Sequence, residues 1–411
     1  MKSQPDVLTQ YDGVIQDQLN KGIIEPVTND ASLPPIGKVH YIPHREVIRT
    51  DKETTKLRVV YDASSHAEKD LPSLNNCLYA GPPMSPLIYD ILLRFRAYRI
   101  PLTADLEKAF LNVSVAPADR DYLRFLWISD IDSDEPELRV YKFARVVFGV
   151  SSSPFLLNAT IHYHLTRPEV DNVFAEEVLK SLYVDDYVGG SSDENSAFNK
   201  YKELKSCFHK AGFNMRKWVT NSHELQERIE KSEGLTPQDT TGLPVQSNIQ
   251  EDDQTYSTSL FDNSSSQSTA GVKVLGHGWD TEKDLFVFEF EPQPPNSPLS
   301  KRSILSAVAK LYDPLGLLGP IIVLFKILFQ AVCKSQAAWD DSLDSEIERQ
   351  WFALVTDLRQ TKAITIERYY FSDIPLADIS TIQIHGFSYA SEAAYGAALY
   401  LRVETKSRNV C

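Results

Sequence analysis

The sequence predicts an α+β fold in which helices cover one face of an antiparallel sheet, and three observations in residues 100–220 carry that expectation. First, Ser181-Leu182-Tyr183-Val184-Asp185-Asp186-Tyr187-Val188-Gly189-Gly190 sets two adjacent acids among apolar, β-branched and aromatic residues. This reads as two short strands with the carboxylates at a hairpin tip. Second, Ile100-Pro101-Leu102-Thr103-Ala104-Asp105 is an apolar run ending on an acid, a buried strand that passes into a helical turn at Asp105. Third, the remaining elements alternate. Strands at 123–128 and 140–144 are joined by an acidic turn at 130–137, and Leu157, Ile161 and Leu165 share one helix face. After the hairpin come a helix from near Ser191 to Gly212 and a strand over 213–219 holding Arg216 and Lys217. The two acidic elements can then lie side by side on the open face of the sheet.

Neighbouring side chains diverge in a strand, and a tight turn is one of the few places where two adjacent carboxylates converge. Such a pair suits hard cations, above all Mg²⁺ carrying a substrate phosphate. An ordinary acidic hairpin turn is the plainer alternative, and Asp105 is what shifts the balance. An acid at the end of a core strand is costly to bury unless a cation or hydrogen-bond donors meet it, although taken alone such a residue is more often a helix cap.

Composition sets outer bounds. A length of 411 residues allows two or more domains, and 42% hydrophobic with 24% charged residues is ordinary for a globular chain. The net charge of −14 argues against a nucleic-acid ligand until its distribution is considered. Residues 233–295 carry 11 acids against Lys273 and Lys283, and Asp340, Asp341, Asp344, Glu346 and Glu348 supply the rest. The acidity is therefore segmental, and an anionic ligand elsewhere stays open. Cys77, Cys207, Cys333 and Cys411 form neither a metal-type pair nor a disulfide framework, which fits a reducing compartment. The start lacks the apolar core of a signal peptide. Leu315 to Val332 is interrupted by Gly316, Gly319, Pro320, Lys326 and Gln330, so a buried helix is expected there and no membrane span. The location expected is cytoplasmic, with the nucleus left open.

Outside the central region, Leu8, Tyr11, Ile15 and Leu19 predict a helix over 7–20 that Gly22 closes. Lys38, Arg45, Arg49, Lys52, Lys56 and Arg58, with a strand at Val59-Val60-Tyr61, make a basic segment that can meet phosphates or be a solvated hairpin. A helix over 87–98 is expected to expose Arg94 and Arg96. Val147-Phe148-Gly149-Val150-Ser151-Ser152-Ser153-Pro154 is a tight loop leading into a helix capped by Ser152 or Ser153, and the helix near Ser191 carries Glu194 as a capping-box partner. Residues 234–270 are rich in Ser, Thr, Gln and Asn and read as a disordered linker or insertion. A hairpin over 272–290, a helix capped by Ser300 and ended by Asp313-Pro314, and an acidic helix anchored by Trp339, Trp351, Phe352 and Leu358 follow. Two strands at 382–386 and 395–403 end the chain.

With these pieces placed, the chain resembles the reverse transcriptases of BEL/Pao-type LTR retrotransposon polyproteins, from about residue 8 to 403. The residues that carry the resemblance are Leu57-Arg58-Val59-Val60-Tyr61-Asp62-Ala63-Ser64, Asp105 to Phe110, Phe148-Gly149 with Ser153-Pro154, and Tyr183-Val184-Asp185-Asp186. Phe213-Asn214-Met215-Arg216-Lys217-Trp218 and Leu311-Tyr312-Asp313-Pro314-Leu315-Gly316 add to it. The resemblance implies a right-hand polymerase: fingers over 1–99, palm over 100–232, an insertion over 233–271, then primer-grip hairpin, thumb and connection over 272–375. The start of a ribonuclease H-like domain takes 376–411, so the chain reads as a polyprotein fragment or a truncated copy.

The resemblance also implies an RNA-directed DNA polymerase that uses two Mg²⁺ ions, with Mn²⁺ as substitute, dNTPs, and an RNA or DNA template with primer. It implies no membrane and leaves the oligomeric state open. Asp105 and Asp185 match the metal-binding positions, with Asp186 the adjacent acid. Arg58 matches the contact to the incoming triphosphate, and Phe110 the aromatic that excludes a ribose 2′-hydroxyl, with palm core as its other role. Phe148 and Gly149 match the loop on nucleotide and template, and Lys217 the lysine that protonates pyrophosphate, or else a surface cation. Leu275-Gly276-His277 occupies the place of the primer-gripping hairpin. His162 and His164, at alternate helical positions, diverge and make no metal site. In the family an acid belongs in the stretch matching Gly386 to Ser391, where this chain has Tyr389, a neutral phenol, so ribonuclease H activity is expected to be absent. A catalytically silent nucleic-acid-binding remnant, and a different two-metal phosphotransferase such as a nucleotide cyclase, are the alternatives.

Overall fold

The computed structural model describes residues 5–27, 38–48, 57–133, 135–234, 271–289, 299–361, 363–372 and 374–407. Arg49, Lys52 and Lys56 of the basic segment and residues 235–270 of the polar stretch lie outside these. Three apolar cores organise the rest. The first joins α1 (Pro5–Asn20), the antiparallel sheet β1 (Ile24–Pro26), β6 (Leu138–Phe143), β5 (Arg124–Ile128), the hairpin β2 (His44–Ile48), β3 (Leu57–Tyr61) and the short α2 (Leu74–Cys77). Helix α1 buries Tyr11, Val14, Ile15 and Gln18, a face turned slightly from the one expected, and Gly22 closes it at φ +64°. Tyr11 stacks on Trp127 at 4.5 Å and bonds His44 Nδ1, whose other ring nitrogen lies 2.8 Å from the Leu126 carbonyl.

The second core sits under an antiparallel sheet in the order β7 (Leu182–Tyr183), β8 (Asp186–Ser191), β4 (Ile100–Leu106), β9 (Met215–Val219). Helices α4 (Ser153–Leu165), α5 (Asn172–Ser181), α6 (Glu194–Lys210) and α7 (His223–Ser232) pack into that core, which is the α+β arrangement the sequence predicts. Leu157, Ile161 and Leu165 are all buried. Local details differ from expectation. Strand β4 runs on through Leu106, and the turn that follows is a short 3-10 segment, Ala109–Asn112. Ser152 precedes α4 without capping it by its side chain, and the Ser153 hydroxyl instead donates to the Val147 carbonyl at 2.6 Å. Asp193, not a Ser191–Glu194 box, caps α6 by accepting from the Ser196 N–H. Helix α5 was not foreseen: its apolar positions, Phe174, Ala175 and Val178, are few and sit between charges.

The third core gathers α3 (Ile88–Phe95), the sheet β10 (Val272–Val274), β11 (His277–Asp280), β12 (Leu285–Glu289), β13 (Ala363–Glu367), and helices α8 (Lys301–Ala309), α9 (Gly319–Lys334) and α10 (Ser345–Gln360). The expected hairpin over 272–290 is thus three strands, with Leu275 and Gly276 both at positive φ in the first turn, and β13 joins from far downstream as a fourth, Ala363 pairing with Glu289. Ser300 caps α8 as expected. Helix α9 buries Phe325, Leu328 and Val332, and no helix among the described residues is long and apolar enough to cross a membrane. Trp351 and Leu358 anchor α10, whereas Phe352, off its buried stripe, and Trp339, which precedes the helix, are half exposed.

Arg94 and Arg96, expected at the surface, are half-buried. Arg94 donates to the Lys180 carbonyl at 2.6 Å, and Arg96 to the Arg368 and Glu367 carbonyls at 3.1 and 3.0 Å. Arg368 itself is 0% exposed. Its guanidinium grips both oxygens of Asp284 at 2.6 and 2.7 Å and donates to the Phe95 carbonyl at 2.5 Å, tying the fourth strand's end to α3. Finally β14 (Ile379–Ala390) and β15 (Tyr395–Thr405) form a two-stranded ribbon, longer than the strands expected.

Candidate active site

Alternation along β4 decides which residues leave the second core. Leu102, Ala104 and Leu106 enter it, so Thr103 and Asp105 face the other side of the sheet. Asp105 pairs directly with Asp186 on β8, and paired residues of antiparallel strands share a face. Tyr183 pairs with Asp186, which leaves Val184 and Asp185 as the two-residue turn between β7 and β8. The Asp185 carbonyl accepts from the Leu106 N–H at 2.8 Å, pinning the turn to the end of β4. Val184 takes φ +57°, a conformation β-branched residues rarely adopt, at the bend that brings Asp185 beside Asp186. Asp105 and Asp185 are buried, and Asp186 is half-buried.

On the other flank of β4, Thr103 pairs with Val219 and Asp105 with Arg216, so β9 carries one extra residue between them. Lys217 sits in this bulge at φ +52°. A bulge re-aims side chains that would otherwise alternate. In consequence two neighbouring cations reach one carboxylate: Arg216 Nε lies 3.4 Å and Lys217 Nζ 3.8 Å from Asp105 Oδ2. Arg216 also meets Glu107 Oε1 at 3.3 Å, and Asn214 donates to Glu107 Oε2 at 2.8 Å. Burial raises the Asp105 carboxyl above its ordinary range, with Lys217 and then Arg216 pulling it back.

The other oxygen, Asp105 Oδ1, is buried with no hydrogen-bond partner. An orphaned carboxylate oxygen beside a second carboxylate is a donor set that suits a hard divalent ion. The three acids nonetheless do not form a ready cage: among the described residues, no group of three His, Cys, Asp or Glu side chains stands close enough to hold a metal ion. Asp105 is instead engaged by the two cations.

Of the residues expected on the nucleotide side, Phe110 and Phe148 meet, and Gly149 approaches the strand that carries Arg58. Gly149 has φ +86°, and a Cβ there would stand 3.0 Å from the Tyr61 carbonyl of β3, so the loop needs glycine for both conformation and approach. Asn75 fixes that loop, donating to the Gly149 carbonyl at 2.9 Å and accepting from the Ser151 N–H at 2.8 Å. Phe148 meets Phe110 edge-on at 4.5 Å. Phe110 is 1% exposed, so its ring belongs to the core in this arrangement. Arg58 is half-buried on β3, opposite Val47.

Residues 51–225 match the family model of reverse transcriptase (RNA-dependent DNA polymerase), and residues 300–411 match that of the Pao retrotransposon-like RNaseH-like domain. Together the two matches support a BEL/Pao-type retrotransposon Pol fragment. A comparison with curated proteins gives no match. In this BEL/Pao-type chain the reverse transcriptase match spans Arg58, Asp105, Phe110, Gly149, Asp185, Asp186 and Lys217, and the second match starts just before α8.

Other expected positions lie apart. Within the reverse transcriptase match, His164 Nε2 is 2.9 Å from the Cys207 carbonyl, an α4 to α6 contact with no ligand role. His277 is buried at the start of β11 among Phe286, Phe288 and Tyr312, and burial pulls its pKa down to about 4. Tyr389 is 82% exposed on β14, paired with Gly396. Sequence reasoning gave Arg216 and Glu107 no role in the site. Their signal was an acid two residues past Asp105 and a basic pair inside a strand, a combination that gains meaning only once the strands are paired.

Proposed function

We propose that the chain is an RNA-directed DNA polymerase that extends a primed RNA or DNA template with dNTPs. Asp105, Asp185 and Asp186 are the residues that would hold two Mg²⁺ ions, or Mn²⁺ in their place. Bound there, such a pair lowers the pKa of a primer 3′-hydroxyl and neutralises the triphosphate and the departing pyrophosphate. The observation that carries this reading is the register: Asp105 stands opposite Asp186 on one sheet face with a buried, partnerless oxygen.

The protein's own groups supply the remainder. As the primer 3′-oxygen bonds to the α-phosphorus and the bond to pyrophosphate breaks, the Lys217 ammonium is positioned by its bulge to give the leaving group a proton. Gly149 lets the loop backbone approach base and template, Phe148 buttresses Phe110 under the sugar, and Arg58 on the neighbouring strand offers a forked cation to the triphosphate. In this reading the first core is the fingers, the second the palm, and the third the primer grip, thumb and connection. Tyr389 in place of an acid gives no ribonuclease H activity.

The second reading, a nucleic-acid-binding remnant without turnover, draws on Asp105 being held by Arg216 and Lys217 while the described residues offer no ready three-acid metal cage. Primer extension on an RNA template separates the two. The polymerase reading expects Mg²⁺-dependent extension by the chain and loss of at least about a hundredfold in Asp185→Asn. Equal extension by both proteins, or salt-sensitive binding with no extension at any Mg²⁺ concentration, rejects it.

A further inference from the structure

We propose that Arg216 is a positioning residue: it neutralises Asp105 while no metal is bound and withdraws to Glu107 when a divalent cation arrives. This rests on the two-metal reading of Asp105. The geometry is a bridge with unequal ends. Toward the interior the guanidinium meets Asp105, whose side chain is 7% exposed. Toward the surface it meets Glu107, 34% exposed. A buried carboxylate left without a cation is costly, and the register that pairs Arg216 with Asp105 supplies one.

That cation is driven off when a second, doubly charged one binds the same carboxylate through Oδ1, because the two repel at short range. Glu107 is a prepared alternative. Asn214 donates to its Oε2 at 2.8 Å, and the Glu107 N–H donates to the Asn214 carbonyl at 2.8 Å, so the acid is fixed before it is needed. Its Oε1 already faces Arg216, and a carboxylate accepts a guanidinium through two parallel bonds.

Thermal unfolding of the full chain, titrated with Mg²⁺ and in parallel Mn²⁺, tests this for wild type, Arg216→Gln, Glu107→Gln and Asp105→Asn. Arg216→Gln is expected to melt lower in EDTA, to recover with Mg²⁺, and to reach its midpoint at about fivefold lower Mg²⁺, the reciprocal coupling expected when a competitor is removed. Glu107→Gln is expected to raise the midpoint by a similar factor, because Arg216 then has nowhere to withdraw. Arg216→Lys keeps a charge without the fork. It should move the midpoint the same way as Arg216→Gln by a smaller factor, and serves if Arg216→Gln does not fold. Identical midpoints in wild type and both Arg216 variants, or a melting deficit that Mg²⁺ leaves unchanged, overturn the role of Arg216 while the metal reading stands. A wild type that ignores both ions, or an Asp105→Asn variant that responds as wild type does, overturns the metal reading itself.

Discussion

Breaking the Arg368–Asp284 pair should cost more than any surface change in the molecule, and unequally from its two ends. Arg368 is 0% exposed and spends its guanidinium on Asp284 at 2.6 and 2.7 Å and on the Phe95 and Arg99 carbonyls at 2.5 and 3.4 Å. Asp284 keeps two other donors, Trp279 Nε1 at 3.0 Å and Asn221 Nδ2 at 3.0 Å, and its side chain is 23% exposed. Removing one partner of a buried pair costs roughly 3–5 kcal/mol because the other charge is stranded. Asp284→Asn strands a wholly buried cation and belongs at the upper end of that range. Arg368→Met strands a carboxylate that retains two donors and some water, and belongs at the lower end.

Denaturant unfolding of wild type, both single variants and the double variant, followed by tryptophan fluorescence, gives the comparison, since Trp279 reports from the pair itself. The double variant should lose at least about 1.5 kcal/mol less than the sum of the singles, the signature of a shared interaction. Single losses below about 1 kcal/mol, or strict additivity, would show that water reaches the pair and that the burial argument is wrong.

Three further outcomes follow from single residues. His277 has its pKa lowered by burial from 6.5 to about 4, so the unfolded chain takes up a proton before the folded one does. Stability is whole above pH 6.5 and falls as pH drops toward 4, by about 2 kcal/mol at pH 5. The stability difference between wild type and His277→Phe should therefore change with pH in that window and be flat above it, and a flat difference throughout refutes it. Gly149→Ala places a side chain at φ +86° and 3.0 Å from the Tyr61 carbonyl, and should cost about 1–3 kcal/mol in denaturant unfolding while weakening dNTP use in primer extension. Phe110→Ala empties a fully buried site against Phe148 and should cost about 3–5 kcal/mol. A change of less than about 1 kcal/mol would mean that the ring leaves the core to do its work.

What could be read in advance was what local chemistry encodes. The acidic hairpin, the apolar strand that carries Asp105 and the Ser300 cap are written in adjacent residues, although that strand runs one residue further than expected. What could not be read depends on pairing between distant segments. Arg96 and Arg94 look like solvent-facing cations on an amphipathic helix, and become half-buried because the end of strand β13 and the end of α5 arrive to offer carbonyls. Strand β13 itself, Ala363–Glu367, alternates half-buried and exposed residues too briefly to stand out from a turn. Phe110 reads in sequence as either a sugar-facing aromatic or palm core, and its burial against Phe148 depends on a loop 38 residues away. The roles of Arg216 and Glu107 were invisible for the most specific reason: the bulge at Lys217 is a property of the β4–β9 register, not of any one strand.

Backbone strain makes the same point from another direction. Lys108, Val184 and Lys217 are non-glycine residues at positive φ, and each lies within three positions of a carboxylate or cation of the site: Asp105, Asp185 and Arg216. Positive φ costs an ordinary side chain free energy, most of all β-branched Val184, and such residues persist only where surrounding structure over-determines them. Here the over-determination is visible: the Leu106 N–H holds the Asp185 carbonyl, and the Glu107 N–H holds the Asn214 carbonyl, so the C-terminal end of β4 clamps both neighbouring segments. A fold seeking only stability would place glycine or asparagine at three such turns. With Lys, Val and Lys there, two acids and two cations stand at one end of a single sheet.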